Sequence, residues 1–378
     1  MYSRRVVASA ASLINRAQGL TNTSDLGRGS WRAGLDELVM AVDAEVDDAE
    51  IVERIEAMIV ERLVQRSRIE AWYAENADAA CHPVESPIVI VGLPRTATTA
   101  LHHILARHPQ LRYLRSWELR DPVPPPVLGT EADDPRRLTQ PPRSDVRHIV
   151  AVDGPVEDWP IHALAFDHAE LTLPVPAYSA RWRSRDHVDL FAYHERVLRL
   201  LHSSRPPRRW LLKMPAYLFQ LEEMASRYPS ACFVMSHRDP VKAMGSICSV
   251  VADSRRKRFP TWSQDPSFGR FLLDHWAEGM QIAMSARDAL GEHRFMDVAQ
   301  QDLERDAVGV ARRICAAAGL TFDEAVRSDM EEWANANRRG ARGEHKYSLE
   351  EYGLTSAEVT DAFSAYAERF EAVYRGAD

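Results

Sequence analysis

The chain has 378 residues, 45% of them hydrophobic and 27% charged, the composition of a globular protein with a large buried core rather than a disordered or fibrous one. Lys and Arg total 47 against 55 Asp and Glu, a formal net charge of −8, which excludes a broad basic surface for nucleic acid or an anionic membrane. Any anionic ligand must therefore be held by a local cluster of cations. The four cysteines, Cys81, Cys232, Cys248 and Cys315, lie far apart with no CxxC or Cys/His ligand spacing, which predicts free thiols in a reducing compartment and argues against a structural zinc site.

In chain order, Arg4 and Arg5 precede a short apolar stretch that Asn15 and Arg16 interrupt, so the N-terminus reads as an amphipathic helix rather than a signal peptide. No apolar run approaches the ~20 residues of a membrane helix, and a cytoplasmic protein is expected. Residues 30 to 78 read as helix, with Asp47 and Glu50 as a capping box and Ile51, Ile55, Met58, Ile59 and Leu63 on one face. At Ser86 the texture changes. Pro87 to Val91, Trp210 to Lys213 and Ala231 to Ser236 are short apolar runs of the kind that form strands buried on both faces of a parallel sheet. Each is followed by a helical pattern (98 to 107, 217 to 227, 240 to 252). The expectation is an α/β fold, a P-loop-like parallel sheet flanked by helices over 85 to 378, with an N-terminal helical extension over 1 to 84.

Asp121 to Pro142 carries seven prolines and reads as a loop or lid beside whatever the first strand presents, part of an insertion at about 119 to 186. Trp159, Phe166, Tyr178 and Trp182 in this insertion suit either an apolar pocket or the core. Helical patterns resume at 188 to 202, 270 to 336 and 356 to 375, the last two separated by the basic, glycine-containing stretch Arg338 to Lys346.

The strongest local signal is Val91-Gly-Leu-Pro-Arg-Thr-Ala-Thr-Thr99, between the first strand and a helix. A strand that turns into a helix aims backbone N–H groups and the positive end of the helix dipole at one point, an anion site to which Arg95 adds a cation and Thr96, Thr98 and Thr99 add hydroxyls. A Walker A loop starting at Gly92 would need Gly at 97 and Lys at 98; Ala97 and Thr98 stand there, which disfavours hydrolysis of a nucleoside triphosphate. At the third strand, Arg238 supplies a bidentate fork for a phosphate and Pro240 fits the first turn of the next helix.

Pro94-Arg-Thr-Ala-Thr-Thr99 resembles the P-[KR]-[ST]-G-T-T loop of the sulfotransferases that use 3′-phosphoadenosine 5′-phosphosulfate (PAPS), with Ala97 in place of Gly. That departure is mild at negative φ and serious at positive φ. His237-Arg-Asp-Pro240 with Ser246 resembles the same family's 3′-phosphate motif, and Arg338-Arg-Gly-Ala-Arg-Gly-Glu-His-Lys346 its R-K-G-x-x-G-x-W-K segment. The resemblance implies PAPS as donor, released as 3′-phosphoadenosine 5′-phosphate (PAP). It further implies 5′-side contacts by Arg95, Thr96, Ala97, Thr98 and Thr99, and 3′-phosphate contacts by Arg238, Ser246, Arg338, Arg339 and Gly340. The acceptor would be a hydroxyl on a small molecule, glycan or lipid.

Two cations are placed for the charge that develops on the leaving phosphate: Arg95, and Lys213 at the carboxyl end of the second strand. The resemblance implies Glu118 as general base, since several sulfotransferase branches place a catalytic Glu shortly after the phosphate-loop helix, with His102, His103 and His237 as rivals. Tyr217 stands where family members often carry a histidine, and Gln300 where they carry an adenine-side Tyr. No metal is expected. The alternatives are a P-loop kinase of a small substrate and a non-catalytic nucleotide-binding protein on the same fold.

Overall fold

The structure, a computed structural model, describes residues 6–21, 23–78, 83–139, 151–205, 208–337 and 347–375. Three helices come first, α1 (Ala10–Thr21), α2 (Trp31–Glu45) and α3 (Ala49–Glu75), followed by β1 (Ile88–Gly92), α4 (Thr98–Leu105), β2 (Leu111–Arg112) and α5 (Ser116–Arg120). The insertion carries α6 (Pro135–Leu138), α7 (Trp159–Leu164) and α8 (Pro176–Trp182), and leads into α9 (Val188–His202) and β3 (Arg209–Lys213). Then come α10 (Leu221–Arg227), β4 (Cys232–His237), α11 (Pro240–Arg258), α12 (Phe268–Leu290) and β5 (Phe295–Ala299). The chain closes with α13 (Gln300–Ala317), α14 (Glu324–Ala336), α15 (Ser356–Ala362) and α16 (Ser364–Arg375).

The five strands form one parallel sheet in the order β2-β3-β1-β4-β5. Because successive strand residues point to opposite faces, the apolar runs feed two separate cores. Ile88, Ile90, Leu211 and Val234 pack with Leu101, Ile104 and Leu105 of α4 and with α13 and α14. Val89, Val91, Leu212, Phe233 and Met235 face the other layer, built from α9, α10, α11 and α12. Burial on both faces is why β1, β3 and β4 read as continuous apolar runs. The α/β expectation is thus met, with two strands added to the three expected.

The helix expected over 30 to 78 is two helices, broken at 46 to 48. The cap of α3 is Asp48, one residue on from the expected Asp47, and its carboxylate accepts from the N–H groups of Glu50 and Ile51 at 2.9 and 3.1 Å. The N-terminal helices share a core (Leu13, Leu38, Ile55, Ile59, Leu63) with Phe166, Leu173 and Tyr178 of the insertion. A buried ion pair, Arg62 to Glu170 at 2.5 Å, ties α3 to the same segment. Among the described residues, no helix is long and apolar enough to cross a membrane.

Candidate active site

In an open parallel sheet, ligands bind beyond the carboxyl ends of the strands, where the connections leave in opposite directions. Here that point lies beside β1: the chain leaves β1 towards β2 on one side, and leaves β4 towards β5 on the other. Gly92 closes β1 with φ +144°, and a Cβ at that position would sit 2.6 Å from both the carbonyl oxygen and the hydroxyl of Ser236 on β4. Glycine lets the two strand ends approach this closely. The loop then turns through two non-glycine residues in the left-handed region, Arg95 (φ 70°) and Ala97 (φ 67°). Such strain concentrates at ligand sites. Ala97 is also the N-cap of α4 and has no side chain with which to cap the first-turn N–H donors, and the first turn holds no acidic residue, so the positive end of the helix faces the loop. The Gly-to-Ala departure is therefore of the strained kind: the conformation a glycine would adopt freely is kept.

Residues some 140 to 150 positions apart meet around this loop. Arg95 donates from Nε to Ser246 Oγ of α11 at 3.1 Å, and Arg238 donates from Nη1 to the Arg95 carbonyl at 2.8 Å. Arg238 is set by the end of β4 and by Asp239, which caps α11 by accepting from the Val241 N–H at 2.9 Å. Close by, the Tyr347 ring packs where a Gly245 Cβ would lie, 2.8 Å from the nearest ring carbon, and its hydroxyl donates to the Lys242 carbonyl. From β3, the Lys213 ammonium lies 3.4 Å from Thr99 Oγ1 and 2.5 Å from Glu157 Oε1. Lys213 is 3% exposed and Glu157 35%. Arg95, Thr99, Lys213, Arg238 and Ser246 are thus gathered at one end of the sheet. Arg338, Arg339 and Gly340 lie outside the described residues.

Other expected site residues are used differently. The Thr96 hydroxyl is fully buried, donating to the Leu93 carbonyl and bonded to Ser236 Oγ at 2.5 Å, so it braces the loop and is not turned to a ligand. Glu118, expected as the base, is fully buried at the start of α5. Its carboxylate takes the Arg115 N–H at 3.3 Å, Arg112 Nη2 at 2.7 Å and Arg115 Nη2, with Arg205 at 3.6 Å. Burial works to raise its pKa, but Arg112 and Arg115 outweigh burial and hold it below the usual carboxylate range. A carboxylate so enclosed is a poor proton acceptor for a bound substrate.

The rival histidines are packed. His237 bonds Tyr366 at 3.0 Å and Asp297 at 2.8 Å, and His103 stacks on Trp333 of α14. His102 is buried, and desolvation together with the Lys213 charge pushes its pKa well down. Tyr217 is also no base: its hydroxyl donates to Asp158, and burial followed by the Asp158 charge drives its pKa far up. Of the four insertion aromatics, Phe166, Tyr178 and Trp182 are core, while Trp159 is 39% exposed.

Glu157 carries no motif. The signal available in the sequence is an acidic pair, Glu157-Asp158, between two prolines and next to the exposed Trp159. The structure positions it through backbone pairing with the end of β3: Asp158 N–H donates to the Lys213 carbonyl at 3.2 Å, and Lys213 N–H donates back to Asp158 Oδ1 at 3.3 Å.

A cleft of about 110 Å³ adjoins Arg238, lined by Lys242, Gln300, Gln301, Glu304 and Tyr374. A larger cavity of about 540 Å³ opens elsewhere, between α3 and α9. Its charges are paired among themselves, Arg196 with Glu70 at 2.8 Å and Arg199 with Glu195 at 2.6 Å, and none of the motif residues line it.

Residues 87–324 match the model of a family described as the sulfotransferase family. Over the whole length of both chains the fold superposes on the crystal structure of sulfotransferase STF9 from Mycobacterium avium, with 26% identity and a TM-score of 0.88. Sulfotransferase STF1 from Mycobacterium tuberculosis H37Rv is similar over 96% of this chain and all of that one, with 26% identity and a TM-score of 0.83. No curated protein gives a significant match.

Proposed function

The chain belongs to the sulfotransferase family, and from that premise we propose that it moves a sulfuryl group from PAPS to the hydroxyl of a small-molecule, glycan or lipid acceptor. The observation that carries the reading is the junction at the ends of β1 and β4, where Arg95, Ser246 and Arg238 meet over an uncapped helix N-terminus. That junction supplies donors and cations for two separate phosphate groups, as a nucleotide phosphorylated at both 5′ and 3′ positions requires.

In this reading the loop N–H groups of 95 to 99 and the positive end of α4 hold the 5′ side, and Arg238 and Ser246 hold the 3′-phosphate. The donor supplies an activated sulfuryl group on a phosphate leaving group. Arg95 and Lys213 oppose the negative charge that develops on that phosphate, which is where most of the acceleration of such a transfer arises. The Arg238 cleft, with Tyr374 as its aromatic, suits the nucleoside end, and Tyr374 would stand in for the adenine-side tyrosine that Gln300 replaces in sequence.

The test is calorimetric titration with PAP and with ATP plus magnesium, followed by transfer of radiolabelled sulfate from PAPS into a cell extract. Tight PAP binding and a labelled product are expected. Magnesium-dependent ATP turnover without sulfate transfer would favour a small-molecule kinase instead.

A further inference from the structure

Glu157 and Lys213 form the one described ion pair in which a half-exposed carboxylate is held by a buried cation at the phosphate loop. Lys213, on β3, is 3% exposed and reaches both Glu157 Oε1 at 2.5 Å and Thr99 Oγ1 at 3.4 Å on the first turn of α4. A buried ammonium needs an anion beside it. In the structure Glu157 is that anion. Its neighbour Asp158 is locked, bonded to the Lys213 backbone, accepting from the Tyr217 hydroxyl and 3.5 Å from His194. The segment that carries Glu157 is therefore fixed at Asp158, while the Glu157 side chain itself reaches solvent. The acceptor would approach from that open side, next to the exposed Trp159.

We infer that Glu157 is the general base of the transfer and that its ion pair with Lys213 is a resting-state clamp which the donor's phosphosulfate displaces. This rests on the sulfotransferase reading above. Lys213 passes from the carboxylate to the donor oxygens, and the freed carboxylate stands beside the transferring group. Glu157 then takes the proton of the acceptor hydroxyl as the acceptor oxygen bonds to sulfur. The bond from sulfur to the phosphate oxygen breaks, and its electron pair leaves on the phosphate opposite Lys213 and Arg95. One cation thus keeps the base occupied until the donor is in place.

PAP is titrated into the wild-type protein and the Glu157→Gln, Glu157→Asp and Lys213→Met variants, and release of labelled sulfate from PAPS to water is followed in single turnover with enzyme in excess. Loss of the competing carboxylate should tighten PAP binding in Glu157→Gln by about 3- to 5-fold, the range of a partly exposed ion pair. Sulfate release should fall by about 100-fold or more. Glu157→Asp should recover part of that loss, and Lys213→Met should weaken PAP. Unchanged or weaker PAP binding in Glu157→Gln overturns the clamp, and undiminished release overturns the base. Failure of the wild-type protein to bind PAP is a different result, which overturns the donor assignment itself.

Discussion

Two groups of basic side chains flank the first half of the sheet, and they are put to opposite uses. Around Glu118, the guanidinium groups of Arg112, Arg115 and Arg205 are buried with a carboxylate that is fully enclosed, and Glu131 closes the cluster at 2.7 Å from Arg205. Around the phosphate loop, Arg95 reaches a hydroxyl, Arg238 a backbone carbonyl, and Lys213 a carboxylate that solvent can also reach. In the first group the positive charge is neutralised within the fold. In the second, a backbone carbonyl holds Arg238 and a carboxylate open to solvent holds Lys213, an arrangement that on the proposed reading leaves room for an anion from outside. On the proposed reading, a protein of net charge −8 would hold a highly anionic nucleotide with cations set by the ends of three strands.

The sharpest way to break this contrast is to remove Glu118. If it is structural, Glu118→Ala leaves three buried guanidinium groups facing one another and should destabilise the fold by about 3–5 kcal/mol, measured by denaturant unfolding. The sign with pH follows from the depressed carboxyl. Its folded pKa lies below the usual 4.5, so the stabilisation is fully present above that value and is lost as the pH falls through the folded pKa. Glu118→Gln should accordingly show a flatter loss of stability in acid than wild type. A Glu118→Gln protein as stable as wild type but inactive would reverse the assignment and return Glu118 to the chemistry.

The same contrast predicts a different phenotype for Arg238. Arg238→Ala should leave stability nearly unchanged and weaken PAP by about 30- to 100-fold, the cost of truncating one partner of a charge-assisted pair. Adenosine 5′-phosphate, which lacks the 3′-phosphate, should lose far less. Equal losses for the two nucleotides, read by calorimetry, would detach Arg238 from the 3′-phosphate.

What the sequence made legible follows from what each segment has to do alone. Arg238 stood out only through its motif, whereas β1, β3 and β4 were readable because strands buried on both faces must be apolar throughout, and the turn at 92 to 97 because a strand that feeds a helix leaves a recognisable pattern. β5 was not, since this edge strand is only partly buried over its first three residues and carries Asp297 at its centre, paired with His237 and Arg287. β2 is two residues long, below any periodicity. The enclosure of Glu118 was not legible, because its sequence position near the α4 helix was visible, whereas Arg205, 87 residues on, was not connected to it by any local pattern. Glu157 was hidden for the converse reason. Only the pairing of Asp158 with the end of β3 brings it to Lys213, and such pairing is a tertiary fact.

The smallest expected effect concerns Ala97, and it tests whether the ligand-facing group keeps strain as well as charge. A left-handed alanine costs roughly 1–2 kcal/mol, which glycine would avoid, while glycine adds unfolded-chain freedom that takes back about 0.4–1 kcal/mol. Ala97→Gly should therefore raise stability by about 1 kcal/mol or less, with Arg95 and the α4 N-terminus unmoved and PAP affinity within about 2-fold of wild type. Thermal unfolding with and without PAP separates the two parts of that statement. If the glycine variant is less stable, or loses PAP binding, then the alanine methyl holds the loop in shape, and the Gly-to-Ala departure is an adaptation of this chain rather than a tolerated strain.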